Sequence, residues 1–300
     1  MPSWNEVLSE VGSVPNQFDH IRRKYIAKLS EVTSRNVILY YSGWLQKGQL
    51  QQHGYRFDIV DSDKMGLMST VKGLDKSKGL DIVLHTPGGS IAATESIVQY
   101  LKSLFGNDIR AIIPQIAMSA GTMIALACKK IVLGKHSNLG PIDPQIGGLP
   151  THGIIEEFAR AKAEIKADAS TIPAWQVILS KYNPTLIGEC KKAIEWSEEM
   201  VKDWLLSNMF KDDQEKEAKV KKIIEELGSH VITKTHDRHI DITALQELEI
   251  KLVELEKDEA LQDAVLSVHH ASIITLTQTP AIKIIENQEG KAFIQMAHTK

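Results

Sequence analysis

The sequence predicts an α/β fold built on a parallel β-sheet. Short apolar runs alternate with longer segments whose apolar residues recur at helical spacing. The run LDIVLHT at 80–86 is almost continuously apolar, as in strands that are covered on both faces. Strands that alternate with helices are typical of βαβ units with right-handed crossovers, and this alternation extends over residues 36–134.

Each element of this core has its own signal. Strands are predicted where β-branched and apolar residues follow one another, and helices where apolar residues repeat every three or four positions. The predicted strands are 36–41, 80–86, 108–115 and 130–134. The predicted helices are 62–77, 91–105 and 121–129.

The flanking regions predict further helices and a short β-hairpin. Helical periodicity is present in 3–33, 153–168, 186–227 and 244–275, and residues 229–241 are a β-like interruption. Two strands are expected within 281–295, around a turn at Glu289–Gly290. The predicted division is a helical arm at 1–33, a main domain at 34–245 and a C-terminal part at 246–300 that packs on the core or serves in assembly.

Composition excludes several function classes. The 300 residues are 43% hydrophobic and 24% charged with a net charge of −3, which gives no electrostatic reason to expect nucleic acid or an anionic membrane. No apolar stretch reaches the roughly 20 residues of a membrane span, so a cytoplasmic protein is predicted. Two cysteines, Cys128 and Cys190, and scattered histidines match no zinc pattern, so neither metal nor cofactor is predicted.

Two strand–helix crossings carry the candidate chemistry. The stretch LHTPGGSIAA (84–93) places Gly88 and Gly89 at the first crossing, and IAMSAGTMIALA (116–127) places Ser119 at the second. Ligands of open α/β sheets bind at the carboxyl ends of the strands, where both crossings lie. Bare glycine backbone can present N–H groups to a developing oxyanion, and the Ala120 N–H after the serine is a second candidate donor.

Each crossing also has a simpler interpretation. A Gly-Gly pair often forms only a tight turn, and a serine before a helix often serves as an N-cap. The nucleotide fingerprints G-x-G-x-x-G and G-x-x-x-x-G-K-[ST] are absent from the sequence. The absence of these fingerprints argues against a phosphate-binding role for the glycine pair. Bare backbone at one crossing and a small hydroxyl at the next, in consecutive βα units, together favour nucleophilic catalysis over the simpler interpretations.

HTPGGS, followed by AMSAGTMIALA and GPIDPQ, resembles the serine dehydrogenase proteinase family, which is grouped with signal peptide peptidase A and the Clp protease. The residues SVHHASIITLTQTPAIKIIENQEGKAFIQ (267–295) resemble the C-terminal block of the same family. The resemblance implies a Clp/crotonase-like superhelix of ββα units with a parallel βαβ core and a helical C-terminal extension. It also implies a homo-oligomer, trimeric or larger.

The resemblance implies that Ser119 is the nucleophile and that Gly88 or Gly89, with the Ala120 N–H, forms the oxyanion hole. In Clp proteases a histidine base follows the serine by about two dozen residues, but here Asp143 stands at that distance. An aspartate alone is a weak base for a serine hydroxyl, because its pKa is about 3.9. Asp143 is therefore a candidate for supporting the site geometry.

Signal peptide peptidases use a lysine base some forty to fifty residues after the serine, and such a lysine must be desolvated to act. In GIIEEFARAKAEIKADAS, Lys162 follows Ile155 by seven positions and Phe158 by four, which places it on the predicted apolar face. Lys162 is therefore the predicted base, with Lys166 as the second candidate. An alternative is that both lysines extend from an amphipathic helix into water.

The sequence as a whole predicts a serine peptidase, of Ser-Lys rather than Ser-His-Asp type, that cleaves soluble proteins or peptides through an acyl-enzyme. One alternative is a crotonase-type acyl-CoA enzyme that uses the same oxyanion hole without Ser119. Another is a non-catalytic oligomeric scaffold in which Ser119 is only a helix cap.

Overall fold

The structure, a computed structural model, describes residues 4–11, 17–229 and 234–297. Its strands are β1 (Asn36–Ser42), β2 (Leu80–His85), β3 (Ile109–Ile113), β4 (Ile116–Ala117), β5 (Lys130–Leu133), β6 (Asn138–Leu139), β7 (Gln145–Ile146), β8 (Leu149–Pro150), β9 (Leu252–Glu254), β10 (Ala281–Asn287) and β11 (Ala292–Met296). Its helices are α1 (Trp4–Val11), α2 (Gln17–Thr33), α3 (Trp44–Lys47), α4 (Asp63–Val71), α5 (Ile91–Phe105), α6 (Ala120–Leu126), α7 (Thr151–Ala167), α8 (Ile172–Leu179), α9 (Leu186–Trp204), α10 (Lys216–Gly228), α11 (Ile242–Glu247) and α12 (Glu259–Gln278). A π-helical turn, Leu205–Met209, continues α9, and 3-10 turns occupy Gly48–His53, Lys76–Lys78, Ala169–Thr171 and Leu255–Lys257.

In the described ranges the main sheet has seven strands in the order β11–β10–β1–β2–β3–β5–β9. The neighbours from β1 to β9 are parallel, whereas β10 and β11 add to the β1 edge in antiparallel orientation. Two small sheets complete the fold, the parallel pair β4–β6 and the antiparallel hairpin β7–β8. The predicted α/β class with a parallel core is confirmed.

Helices cover both faces of the main sheet. In β1, Ile38 and Tyr40 pack on the side of α4, α5 and α6, together with side chains from α9, α10 and α11. Val37 and Leu39 point to the other face, where they meet α2 and α12. This alternation is the period of two of a β-strand, and burial of both faces explains why the strands are almost continuously apolar.

Most predicted elements of the core are confirmed, and α5 has the predicted bounds. The predicted C-terminal hairpin is also confirmed, with Gly290 at φ 77° in its turn. Its strands are part of the main sheet, which gives the C-terminal segment a structural role in the core. The three-part domain division stays a prediction.

Two sequence interpretations are wrong. The region predicted as helical at 244–275 contains the strand β9, which pairs with β5 at the far edge of the sheet. The β-like segment 229–241 contains turns at 234–237 and a single bridge from Ile240 to Leu139, while its residues 230–233 lie outside the described ranges.

Candidate active site

The two strand–helix crossings lie side by side. The Thr86 N–H donates to the Ile116 carbonyl at 3.3 Å, and the Met118 N–H donates to the Thr86 carbonyl at 3.0 Å. The crossings are thus joined by a parallel bridge between Thr86 and Ala117. A Cβ atom on Gly121 would lie 2.5 Å from the Thr86 methyl group, so a glycine is needed for α6 to start this close to the end of β2.

Ser119 has a backbone conformation that side-chain-bearing residues rarely adopt. Its φ is 51° and its ψ is −116°, immediately before the first residue of α6. Such a conformation costs about 1–3 kcal/mol and is typical of functional sites, including the strained turn that exposes a nucleophilic serine. The side chain is half-buried and makes no capping hydrogen bond to α6, so the alternative that Ser119 is only a helix cap is wrong.

The Gly88–Gly89 segment lies between Ser119 and Ile59. A Cβ atom on Gly88 would lie 2.7 Å from the Ser119 Cβ atom, and one on Gly89 would lie 2.3 Å from the Ile59 nitrogen. Their φ values are 97° and 155°, which also favour glycine. The glycines thus bring bare backbone into contact with the candidate nucleophile.

Two backbone N–H groups near Ser119 donate no hydrogen bond among the described residues. The Gly88 carbonyl accepts a hydrogen bond from the Ile59 N–H at 2.7 Å. Because the peptide between the two glycines is trans, the Gly89 N–H points away from Ile59. Among the described hydrogen bonds, none is donated by the N–H of Gly89 or of Ala120. The third candidate donor, the Gly88 N–H, is engaged by the Thr86 Oγ1 atom at 3.1 Å.

Asp143 contacts a histidine that the sequence analysis did not select. Its Oδ1 atom lies 2.9 Å from Nδ1 of His236. The aspartate side chain is fully buried and the histidine side chain is 17% exposed. With Nδ1 facing the carboxylate, Nε2 is the ring nitrogen that can accept a proton from a nucleophile.

The small β4–β6 sheet places this pair at the same end as Ser119. Strand β4 is parallel to β6, and Leu139 in β6 pairs with Ile240 in antiparallel orientation. Ser119 follows β4, Asp143 follows β6, and His236 precedes Ile240. Given these strand directions, all three residues lie beyond the same end of the paired segments.

The burial expected for the two candidate lysines is wrong. Lys162 and Lys166 in α7 are both exposed, whereas Ile154 and Ala161 form the buried side of that helix. Because the side chains reach solvent, nothing in the described surroundings provides the desolvation that would activate a lysine. No contact between either lysine and Ser119 is present among the described residues.

Comparison with known proteins identifies the family of the chain. The family profile described as ClpP-like SDH-type serine proteinase matches residues 14–261. The chain belongs to this family. Two uncharacterized proteins of Methanocaldococcus jannaschii are similar to it. One is 33% identical over 198 residues, which are 66% of this chain and 60% of that protein. The other is 31% identical over 234 residues, which are 77% of this chain and 73% of that protein.

Membership in the ClpP-like SDH-type serine proteinases confirms the resemblance carried by HTPGGS, AMSAGTMIALA and GPIDPQ, and with it the expected fold. In the described part of the chain, no helix combines the length and apolar character that crossing a membrane requires. Over the same residues, no group of three or more His, Cys, Asp and Glu side chains is arranged to hold a metal ion.

His236 lies far from Ser119 in the sequence, so the spacing of the family's bases does not point to it. In this family member, the helices α7 to α10 separate the turn that holds Asp143 from the segment that holds His236. The Ile142 N–H donates to the Leu227 carbonyl at 2.8 Å, which ties the end of α10 to the Asp143 turn. The contact between Asp143 and His236 therefore depends on how these helices pack, which local sequence does not specify.

Proposed function

We propose that the protein cleaves peptide bonds through an acyl-enzyme formed on Ser119. The observation that carries this proposal is the strained backbone of a half-buried serine beside two uncommitted backbone N–H groups. A nucleophile and oxyanion donors are the two elements that acyl transfer requires. The proposed donors are the N–H groups of Gly89 and Ala120.

The proposed general base is His236, oriented by Asp143, rather than Lys162. The 2.9 Å contact between the carboxylate and Nδ1 supports this choice, because it fixes the ring and leaves Nε2 to receive a proton. A buried carboxylate also stabilises the imidazolium that forms when the serine is deprotonated. The catalytic type is thus proposed to be Ser-His-Asp.

In the proposed reaction, the Ser119 Oγ atom attacks the substrate carbonyl carbon while its proton passes to His236. The carbonyl oxygen becomes an oxyanion that the Gly89 and Ala120 N–H groups bind. His236 then protonates the leaving amine, which breaks the peptide bond and leaves an acyl-enzyme. Water, deprotonated by the same imidazole, hydrolyses the ester and regenerates Ser119.

The proposed substrates are soluble proteins or peptides, and the steps above need no metal or organic cofactor. A homo-oligomer of three or more subunits, located in the cytoplasm, remains the expectation for the assembly. Light scattering on the purified protein measures its subunit count directly.

The test is labelling of the purified protein with a fluorescent fluorophosphonate, with the adduct located by mass spectrometry. Wild type is expected to be labelled at Ser119, and Ser119→Ala is expected to remain unlabelled. His236→Asn and Asp143→Asn are expected to slow labelling about 100-fold or more, because general-base catalysis contributes about 10²–10⁴-fold. Lys162→Met is expected to label at the wild-type rate.

The variants separate the alternatives. A loss of labelling in Lys162→Met with retention in His236→Asn would restore the Ser-Lys mechanism. A folded wild-type protein that binds acyl-CoA thioesters and is not labelled would favour the crotonase-type alternative. Unchanged stability in the slow variants, measured by thermal unfolding, shows that the loss is chemical.

A further inference from the structure

A fully buried ion pair is connected to the Gly88–Gly89 segment by hydrogen bonds. Lys283 in β10 places its Nζ atom 2.8 and 2.9 Å from the two carboxylate oxygens of Asp63 at the start of α4. Both side chains have no solvent exposure. Tyr40 donates its hydroxyl proton to the same carboxylate at 2.6 Å. The steps proposed above for Ser119 do not use this pair.

The Lys283 ammonium also starts a chain of hydrogen bonds that ends at Gly89. Its Nζ atom donates to the Asp58 carbonyl at 2.9 Å. The N–H of the same peptide group, which belongs to Ile59, donates to the Gly88 carbonyl at 2.7 Å. The N–H on the other side of that second peptide group is the Gly89 N–H. Two trans peptides, connected head to tail, therefore join the buried cation to the proposed oxyanion donor.

We propose that Lys283 is a positioning residue of the active site, which orients and polarises the Gly89 N–H through the 58–59 and 88–89 peptide groups. This inference rests on the proposed function, since it assigns Lys283 a role in the same oxyanion hole. Each hydrogen bond in a chain polarises the next, so a cation at one end makes the terminal N–H a stronger donor. A donor fixed before reaction needs no reorganisation when the oxyanion forms.

The segment around Ile59 is fixed at both ends, which makes it suited to this role. The Ser42 hydroxyl donates to the Phe57 carbonyl at 2.7 Å. The Val60 N–H donates to the Asp63 carboxylate at 3.0 Å. The Ile59 carbonyl in turn accepts from the Ser90 N–H at 2.9 Å. Ile59 is thus hydrogen-bonded to Gly88 and Ser90, the residues on either side of Gly89.

Strand β10 provides a matched control on its opposite face. Glu286 is fully buried and pairs with the fully buried Arg22 of α2 at 2.5 Å. This second pair resembles the first in burial and charge, and it links the same strand to another helix. It has no described contact with the Gly88–Gly89 segment. Its removal therefore reports the general effect of losing a buried ion pair.

The experiment compares two reactions at residue 119. Fluorophosphonate labelling of Ser119 requires the oxyanion donors, whereas alkylation of a Ser119→Cys thiol by iodoacetamide does not. Lys283→Met/Asp63→Asn, which removes both charges, is expected to slow phosphonylation at least 10-fold and to change alkylation less than twofold. Arg22→Met/Glu286→Gln is expected to change both rates less than twofold.

Equal phosphonylation rates in wild type and in Lys283→Met/Asp63→Asn would overturn the inference, as would an equal slowing of both reactions. Should that variant not fold, Lys283→Gln/Asp63→Asn carries the same comparison, because its two amides can hydrogen-bond to each other. A wild-type protein without labelling at Ser119 would instead overturn the proposed function, and the inference with it. The two failures are thus distinguished by the wild-type reaction.

Discussion

The backbone of Ser119 stores strain that a substitution can release. At φ 51° and ψ −116°, the conformation is unfavourable for any residue with a Cβ atom and readily accessible to glycine. Ser119→Gly and Ser119→Ala both remove the hydroxyl, but only the glycine variant removes the strain. We expect Ser119→Gly to be more stable than Ser119→Ala by about 1 kcal/mol, after the greater entropy of glycine in the unfolded chain is included.

Urea denaturation of the two variants measures this difference in the free energy of unfolding. Ser34, with φ 55° just before the amino-terminal end of β1, provides a control away from the strand–helix crossings. Ser34→Gly is expected to gain stability and to retain fluorophosphonate labelling. Equal stabilities of Ser119→Gly and Ser119→Ala would contradict the prediction, because the strain at residue 119 would then only offset the entropic cost of glycine, about 0.4–1 kcal/mol.

At the residue scale, the sequence predicted the proximity of Ser119 to Gly88 and Gly89, but not the contact between Asp143 and His236. Gly88 follows β2, and Ser119 comes after β3, the neighbouring strand of the main sheet, and the short β4. Local pattern and topology were therefore enough to bring them together, and the bridge between Thr86 and Ala117 joins the two crossings. The contact between Asp143 and His236 spans 93 positions of the chain. No local pattern specifies such a contact, because it depends on how the helices α7 to α10 return the chain to β6.

At the scale of elements, the approach of α6 to the end of β2 depends on one missing side chain. A Cβ atom on Gly121 would lie 2.5 Å from the Thr86 methyl group. Thr86 cannot easily rotate, because its Oγ1 atom holds the Gly88 N–H. We expect Gly121→Ala to displace α6, to slow labelling of Ser119 at least 10-fold and to lower the free energy of unfolding by about 1–3 kcal/mol.

A second substitution tests whether the clash with the Thr86 methyl group causes the loss in Gly121→Ala. Thr86→Ser removes the methyl group and keeps the hydroxyl that accepts from Gly88, so Gly121→Ala/Thr86→Ser is expected to recover most of the labelling rate. Thr86→Ser alone is the control and should label as wild type does. A double variant that is as slow as Gly121→Ala would locate the clash elsewhere.

Elements were predictable where local signals agreed. Helix α5 begins after Ser90, whose hydroxyl caps the Ala93 N–H at 3.3 Å, and ends before Gly106, so amphipathic spacing and end signals gave the same bounds. Strand β9 was hidden because Leu252–Glu254 is short and lies between two helices. Only its pairing with β5 makes it a strand, and pairing is not a local property.

At the scale of the whole molecule, a buried histidine couples stability to pH. His85, the last residue of β2, has no solvent exposure, and its ring lies 4.5 Å from the Trp44 ring and 5.3 Å from the Tyr41 ring between centroids. Neither ring nitrogen has a hydrogen-bond partner among the described residues. Burial lowers the pKa of His85 to about 3, and burial together with His85 also lowers the pKa of the neighbouring His269.

The direction of the pH effect follows from these pKa values. Between about pH 6.5 and pH 3 the unfolded chain binds a proton at residue 85 and the folded protein does not. Stability is therefore fully present above this window and decreases as the pH falls through it. The contribution approaches about 1.4 kcal/mol per pH unit for one histidine.

His85→Phe removes this titration while keeping a ring in the cluster. We expect the free energy of unfolding of the variant to fall between pH 6 and pH 4 by about 2–3 kcal/mol less than that of wild type. Overpacking by the larger ring lowers stability by a constant amount at every pH, so the slope from urea denaturation is the measurement. Trp44→Phe, which alters the same cluster without removing a titratable group, should keep the wild-type slope. Parallel curves for wild type and His85→Phe would mean that His85 becomes protonated in the folded protein, and that the ring cluster opens to water in acid before the chain unfolds.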